Sequence, residues 1–365
     1  MTDTTTASDT ANADNSKKRA AAPEAPGLDA VALGRWMDGE GLPGAGAPTL
    51  TRLSGGSQNE LFIVERDEVR AVLRIPPATA GEARFDGLRR ELRLLRALQG
   101  ADVPHAEFIA GTGEADVLGA PFYLMLPVDG WSPMGNGKWP EPFESDLPLR
   151  RGLAFELVRG AALLSKVDWE ARGLTGFGRP ENFHDRQVDR WLSFLDKYKF
   201  RDLPGLDEAS AWLRTHRPRH WSSGIMHGDY QFANVMYAQG APAKLAAVID
   251  WEMTTIGDPL LDLGWVLISW PPEGDDMTRY VSVDGMPSRD ELLEHYESIS
   301  GRSTEDIDYY VVLARWKLGI VLEMSYAKLT SGGAVDPKAA SFGPLVLELI
   351  RKAAELSRTA TTKAA

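Results

Sequence analysis

One polar stretch, "IMHGDYQFANVMYAQGAPAKLAAVIDWE" at residues 225–252, constrains the fold more than any other feature of the sequence. Asp229 and Asn234 stand five residues apart on a predicted loop. The apolar strand "LAAVI" follows, and Asp250 comes directly after it. The polar loop, the apolar strand and the carboxylate at its end have to be explained as one unit.

Two chemical roles fit these three side chains. A divalent cation on a nucleotide takes oxygen ligands, and a carboxylate with a nearby amide oxygen supplies two of them, which fits Asp250 and Asn234. A hydroxyl acceptor also needs a carboxylate that is not held on the metal, placed to orient the hydroxyl and take its proton, which fits Asp229. Each residue alone is common in turns or at strand ends. Their joint spacing is the pattern of a kinase catalytic loop and predicts phosphoryl transfer.

The residues around this loop are predicted to support it rather than to react. His227 is expected to be neutral and hydrogen-bonded to backbone, and Gly228 to let the loop turn tightly. Asp258 is predicted to be the N-cap of a helix with Pro259 at its first position. Asp262, one turn into that helix, is predicted to hydrogen-bond the catalytic loop rather than a metal.

Patterns ahead of this stretch predict a small strand-rich unit. Residues 59–75 hold two β-rich runs around a polar turn and predict a hairpin. Residues 53–58, "LSGGSQ", either turn backbone N–H groups toward an anion or simply connect two elements. A helix is predicted over 82–99, with Glu91 on the flank of its buried stripe, where it can face the hairpin. Residues 121–130 predict a buried strand whose exit links two lobes.

The rest of the chain is predicted to be mainly helical. Helical spacing covers three segments, near 150–168, 186–199 and 207–216. Capping boxes, Ser288 with Glu291 and Ser303 with Asp306, open helices that run to about 299 and 329. A last helix is predicted over 341–357. The fold class is therefore α+β, with a small β-rich lobe followed by a larger, mainly helical one.

Composition excludes several classes of protein. The chain has 52 acidic and 40 basic residues, a formal charge of -12. It therefore lacks the excess of positive charge that is typical of nucleic-acid-binding proteins. It has no cysteine, which excludes disulfides, thiolate catalysis and thiolate zinc sites. Residues 1–27 lack the apolar core of a signal peptide and are predicted to be a disordered tail. Because no apolar run approaches the ~18 residues that a membrane span requires, we expect a cytoplasmic protein.

These motifs resemble the aminoglycoside-phosphotransferase-like kinases, small-molecule members of the protein-kinase-like fold. The matching segments are "HGDYQFAN", "VIDWE" and "GDPLLDL" in the large lobe, and "LSGGSQN", "VLR", "REL" and "PFYLM" in the small one. Together they cover most of residues 50–270. The form "IDWEMTTIGDPLLDLGW" resembles in particular the branch that also occurs fused to acyl-CoA dehydrogenases.

The resemblance implies ATP and Mg²⁺ as cofactors and a set of nucleotide-binding residues. The small-residue turn would cover the ATP phosphates, with Ser57 and its neighbours donating hydrogen bonds. The backbone of Leu126 and Val128 would hold adenine. Glu91 would pair with the cation of the neighbouring strand, which is Arg74 in this chain where most kinases have lysine. Arginine can hold phosphate in a bidentate manner, but it is bulkier than lysine.

The resulting organisation is a protein-kinase-like fold of two lobes. We expect a tail at 1–27, an N-lobe at 28–128, a helical C-lobe at 129–357 and a flexible C-terminus at 358–365. The N-lobe holds the hairpin, the helix and the linking strand, and the C-lobe carries the catalytic loop. The sequence leaves the oligomeric state open.

The acceptor is predicted to be a small molecule. Only seven residues, 251–257, separate Asp250 from Asp258, which leaves no room for a long activation segment that could dock a peptide. A hydroxylated acyl compound is the favoured candidate, because of the branch that the chain resembles. Three tryptophans near the loop favour an apolar acceptor unless they belong to the core: Trp251, Trp265 and Trp270.

Two alternatives stay open. An aminoglycoside acceptor would need a carboxylate-rich pocket, and the stretch 271–308 is acidic enough either to line one or to be a solvated surface. A nucleotide-binding regulatory module without catalysis is the second alternative, and Arg74 is the residue that favours it.

Overall fold

The computed structural model describes residues 27–53, 59–133, 139–270, 282–331 and 339–360. The helices are α1 (Ala30–Gly39), α2 (Glu82–Leu98), α3 (Arg150–Ser165), α4 (Phe183–Leu195), α5 (Leu206–Thr215), α6 (Leu260–Leu267), α7 (Arg289–Ser300), α8 (Ile307–Thr330) and α9 (Ala339–Thr359). The strands are β1 (Thr49–Arg52), β2 (Glu60–Arg66), β3 (Val69–Ile75), β4 (Phe108–Thr112), β5 (Phe122–Met125), β6 (Gly224–Met226), β7 (Val235–Tyr237), β8 (Leu245–Val248) and β9 (Thr255–Gly257). A strand-rich first part and a mainly helical second part confirm the predicted α+β, kinase-like fold.

The small lobe is built on an antiparallel sheet with the strand order β1-β2-β3-β5-β4. The predicted hairpin is present as β2 and β3, which pair from Glu60 with Ile75 to Arg66 with Val69. Its two-residue turn places Asp67 at a φ of 49°, a left-handed conformation that aspartate tolerates better than most residues.

Helices cover both faces of this sheet. Phe122 and Leu124 of β5 pack on the side of α1, in a cluster with Leu33 and Met37, whereas Tyr123 between them belongs to the side of α2. This alternation follows from the two-residue period of a strand. The leucines of α2 are buried as their spacing predicted, and each contributes about 1.5–3 kcal/mol by leaving water. The helix is thereby fixed against the sheet.

The large lobe holds two short antiparallel ribbons, β6 with β9 and β7 with β8, among its helices. All eight residues of α6 are buried, as expected of a helix that is apolar on every side. Helix α8 packs against α6 and α9 and carries three of the largest fully buried side chains, Tyr309, Tyr310 and Trp316. These buried helices give the two ribbons a rigid support.

The structure corrects several predicted boundaries. Strand β5 ends at Met125, so only the first half of the segment 121–130 is extended. The capping box of Ser288 with Glu291 is present, but Ser303 caps no helix: α8 begins at Ile307. The reason is that Glu297 accepts hydrogen bonds from the Thr304 N–H and hydroxyl, each at 2.7 Å, which holds this segment in a turn.

Three expectations fall wholly or partly outside the described residues. The tail predicted at 1–27 lies there except for Gly27, as do Ser57 and the beginning of the acidic stretch, 271–281. At the other end, α9 continues to Thr359, so the first two residues of the predicted flexible C-terminus, 358–365, are helical. In the part of the chain that the structure describes, no helix is long and apolar enough to cross a membrane.

Candidate active site

The HGD loop, residues 227–234, connects β6 to β7 and ends in one 3₁₀ turn. It brings two predicted site residues together: Asn234 Nδ2 donates to Asp229 Oδ2 at 2.8 Å and to the Asp229 carbonyl oxygen at 2.8 Å. Gln231 Nε2 donates to the other carboxylate oxygen at 2.7 Å. Burial outweighs these donors and raises the pKa of Asp229 to about 6. Such a carboxylate can orient a hydroxyl and accept its proton.

His227 supports the loop as a neutral side chain. Its Nε2 donates to the Ile249 carbonyl oxygen at 2.9 Å, since a carbonyl can only accept, and its Nδ1 accepts from the Asp229 N–H at 3.3 Å. The ring is fully buried, and burial lowers the pKa of His227 to about 4. The predicted structural position of this histidine is confirmed.

Asp262 on α6 fixes the start of the loop, as predicted. Its carboxylate accepts from the His227 N–H at 2.6 Å and from the Gly228 N–H at 2.9 Å. Burial raises the pKa of Asp262 to about 7 in spite of these two donors. Gly228 has a φ of +88°, and a Cβ at this position would lie 2.5 Å from the Met253 carbonyl oxygen. A side chain at position 228 would therefore displace the loop.

Asp258 does more than cap a helix. Its Oδ1 accepts from the Leu260 N–H at 3.1 Å, while Oδ2 accepts from the Tyr310 hydroxyl at 2.5 Å and lies 2.9 Å from His184 Nε2. Helix α6 begins at Leu260 with Pro259 in the cap position, one residue later than predicted. Because Asp258 is 2% exposed and fully used by these partners, it cannot serve as a metal ligand.

Asp250 and Asn234, the two predicted cation ligands, both line the cavity between the lobes. The Ile249 N–H donates to the Asn234 carbonyl oxygen at 2.9 Å, which ties the end of β8 to the HGD loop. Asp250 follows with a φ of 65° and an exposed side chain. The Asn234 amide nitrogen is used on Asp229, which leaves Oδ1 as the ligand atom. One carboxylate and one amide oxygen suit Mg²⁺, which also takes phosphate oxygens and waters. The described ranges contain no group of three or more acidic or histidine side chains that could hold a metal without such help.

Arg74 and Glu91 form the ion pair that the resemblance implied. Arg74 Nε donates to Glu91 Oε2 at 3.0 Å, and Nη2 lies 3.0 Å from Oε1, so the pair is bidentate. Burial opposes the Arg74 charge, but the carboxylates of Glu91 and Asp250 hold its pKa above the ordinary value. Arg74 Nη2 also lies 3.6 Å from Asp250 Oδ1. The small lobe is thus connected electrostatically to the carboxylate that follows β8.

A cavity of about 440 Å³ separates the two lobes. Six of the predicted residues line it: Arg74, Glu91, Leu126, Val128, Asn234 and Asp250. Asp229 does not line it, although Asn234, which donates to the Asp229 carboxylate, does. Ser57 is outside the described residues. The Leu126 N–H already donates to the Glu107 carbonyl oxygen at 2.8 Å. The backbone of Leu126 can therefore hydrogen-bond a ligand only through its carbonyl oxygen, as an acceptor.

Comparisons with known proteins assign the chain to a family. A model of the APH phosphotransferase enzyme family matches residues 49–295. The chain belongs to this family. Acyl-CoA dehydrogenase family member 11 of Gallus gallus is 27% identical over 333 residues, which cover 87% of this chain but 42% of that protein. The chain thus spans about two-fifths of the length of this curated relative.

Two solved structures are similar to this APH-family chain. A Ralstonia eutropha JMP134 protein, named as an aminoglycoside phosphotransferase candidate, is 27% identical with a TM-score of 0.79, over 91% of this chain and 99% of that one. A thermostable variant of aminoglycoside phosphotransferase APH(4)-Ia, solved with AMP-PNP and hygromycin B, is 16% identical with a TM-score of 0.56, over 87% of this chain and 96% of that one. The second likeness shows the shared fold alone.

Sequence reasoning missed one residue beside the HGD loop of this APH-family chain. Lys317 of α8 is buried, and its Nζ donates to the Gly228 carbonyl oxygen at 3.4 Å. The available signal was a lysine inside the apolar run "VVLARWKLGIVL", residues 311–322. The three tryptophans considered as an acceptor platform belong to the core instead, with exposed fractions of 5%, 5% and 8%: Trp251, Trp265 and Trp270.

Proposed function

We propose that this chain is an ATP-dependent kinase that phosphorylates a hydroxyl group of a small molecule. The observation that carries the proposal is the cluster of Asp229, Asn234 and Asp250 at the cleft between the lobes, with Asn234 bonded to Asp229 and facing the cavity. One carboxylate is left for the acceptor and another for a cation. Phosphoryl transfer requires both, because catalysis consists mainly of positioning and charge stabilisation.

The cavity supplies the features that a nucleotide needs. Adenine would lie against the apolar wall near the link between the lobes and bond to the Leu126 carbonyl oxygen and the Val128 N–H. Val128 N–H has no hydrogen-bond partner in the described part of the chain. The Arg74 guanidinium, although held by Glu91, faces the same cavity and would approach the phosphates. Ser57 is assigned to the phosphates by family resemblance.

The transfer step is assigned to Asp229 and the metal-binding pair. Asp229 would orient the acceptor hydroxyl and take its proton as the acceptor oxygen forms a bond to the γ-phosphorus. The bond from that phosphorus to the β,γ-bridging oxygen breaks, and ADP leaves. Asn234 and Asp250 would hold Mg²⁺, which neutralises phosphate charge when bound. Neutral His227 and the Asp262 carboxylate keep the loop in place throughout.

The structure favours an acceptor smaller than a protein. The seven residues between Asp250 and Asp258 form a 3₁₀ turn and then β9, which pairs directly with β6. No free segment remains there to dock a peptide, in contrast to the long activation segment of protein kinases.

Among small acceptors, we propose a hydroxylated acyl compound such as a hydroxyacyl-CoA ester. The likeness to acyl-CoA dehydrogenase family members supports it. An aminoglycoside is the second candidate, supported by the neighbour of TM-score 0.79.

The experiment is an ADP-release assay with Mg-ATP and a panel of hydroxyacyl-CoA esters, aminoglycosides, choline and sugars. We expect release with an anionic hydroxyacyl compound, and a loss of about 10²–10⁴-fold in kcat for Asp229→Ala with ATP still bound. Asp202→Ala removes an exposed carboxylate and is the matched control. Unchanged turnover by Asp229→Ala would refute the assignment. ATP binding without release for any acceptor would favour a regulatory module.

A further inference from the structure

Lys317 is a cation in an environment built for apolar side chains. It lies near the middle of α8 and is 5% exposed. Its Nζ lies 5.1 Å from the Trp191 ring centroid and 5.3 Å from that of Trp265. In the described ranges its one hydrogen bond goes to the Gly228 carbonyl oxygen. The groups in direct contact with the ammonium are therefore neutral, and the carboxylates of Asp229 and Asp262 act on it only from a distance.

Keeping an ammonium group in this place costs folding free energy. Burial lowers the pKa of Lys317 to about 8, although Asp229 and Asp262 attract its charge. An uncharged side chain of similar length, such as methionine, would fill the same space between the indoles without that penalty. Stability of the fold alone does not explain a lysine at this position.

The position of Lys317 relative to the HGD loop does explain it. Asp262 accepts the N–H groups of His227 and Gly228, while Lys317 donates to the Gly228 carbonyl oxygen on the next peptide bond. That peptide leads directly into Asp229. The two contacts hold the backbone that aims the Asp229 carboxylate, one through N–H groups and the other through a carbonyl.

The loop cannot supply such a cation itself. No lysine or arginine occurs between Arg219 and Lys244, a range that contains the whole HGD loop. A positive charge close to this loop has to come from a distant part of the sequence, and α8 brings it there across the buried helix α6.

We propose that Lys317 is a positioning residue for phosphoryl transfer, which holds the Gly228 peptide and the Asp229 carboxylate in their reactive arrangement. The inference rests on the proposed function. It does not require Lys317 to touch ATP or the acceptor. Its loss should lower kcat and leave nucleotide affinity and the stability of the fold intact.

The test compares Lys317→Met, Lys317→Arg and Lys328→Met in ADP release from Mg-ATP with a hydroxyacyl-CoA ester. Lys328 is an exposed lysine eleven residues further along the same helix and serves as the matched control. We expect Lys317→Met to lower kcat about 10- to 100-fold, because small displacements of a reacting group have effects of this size. AMP-PNP affinity should stay within about twofold of wild type, and Tm should be equal or higher. Lys317→Arg should recover part of kcat.

The outcomes separate the two proposals. Wild-type kcat in Lys317→Met would overturn the role of Lys317 and leave the proposed kinase function standing. A lower Tm together with weaker AMP-PNP binding would show a purely structural lysine and overturn it as well. If Lys317→Met does not fold, the Lys317→Arg variant decides, and a kcat no higher than that of Asp229→Ala would overturn the proposal, because a cation at position 317 would then not restore turnover. A wild-type chain that releases no ADP with any acceptor overturns the proposed function itself.

Discussion

Replacing His227 by glutamine should remove a loss of stability of about 2 kcal/mol that this residue causes between pH 7.5 and pH 5. The raised pKa values of Asp229 and Asp262 act in the opposite direction in both proteins, so the prediction concerns the difference between wild type and variant. The folded state holds His227 neutral, with its pKa lowered from 6.5 to about 4 by burial. Above pH 6.5 the ring is neutral in both states, so His227 makes no pH-dependent contribution to stability there. Below it the unfolded chain binds a proton that the folded chain rejects, and the contribution of His227 to stability falls until about pH 4. At 1.36 kcal/mol per pH unit, the loss between pH 7.5 and pH 5 is about 2 kcal/mol.

Urea unfolding at pH 7.5 and pH 5 measures this loss. Glutamine at 227 can still donate to the Ile249 carbonyl oxygen but does not titrate, so from pH 7.5 to pH 5 the free energy of unfolding of the variant should change by about 2 kcal/mol in the favourable direction relative to wild type. His220→Gln replaces an exposed histidine in the same way and is the matched control. The same change in wild type and His227→Gln would refute a histidine that is buried in its neutral form.

Two further substitutions test the parts of the site on either side of the cleft. Glu91→Gln leaves the Arg74 guanidinium without its bidentate partner, so it should lower the free energy of unfolding by about 3 kcal/mol and weaken ATP binding. The control Glu65→Gln changes an exposed ion pair and should lower the free energy of unfolding by under about 1 kcal/mol. Equal urea midpoints for the two variants would contradict this. Gly228→Ala should lower kcat at least about 10-fold because its Cβ meets the Met253 carbonyl, whereas Gly301→Ala, also at positive φ but in open space, should cost only about 1 kcal/mol and leave turnover unchanged. Measurements of kcat and of urea unfolding on both variants test this prediction, and equal kcat values for the two variants would contradict it.

Local sequence patterns predicted the elements that carry the site. The hairpin, helix α2 and the buried position of Glu91 all followed from the spacing of apolar residues, because one face of each element has to be buried. The contact of Asp262 with the HGD loop could also be predicted, since a carboxylate one turn into a helix is close to the loop that packs on its start.

Contacts that depend on distant parts of the chain could not be predicted. Lys317 reaches the loop from 89 residues away, and nothing in its neighbourhood along the sequence indicates where its side chain ends. The same holds for Asp258, which pairs with Tyr310 and His184 as well as capping a helix. Ser303 shows the opposite error, because its capping pattern is present in the sequence but Glu297 holds the neighbouring backbone in another conformation.

The direct pairing of β9 with β6 restricts how this enzyme could be regulated. Many kinases are regulated by moving or modifying the segment that follows the metal-binding carboxylate. In this chain the corresponding segment pairs as β9 with β6, and β6 leads directly into the loop that carries Asp229. Displacing the segment would therefore disrupt the HGD loop instead of switching it between two states. Under the proposed function, the rate of product formation would then be set by the amounts of acceptor and of enzyme.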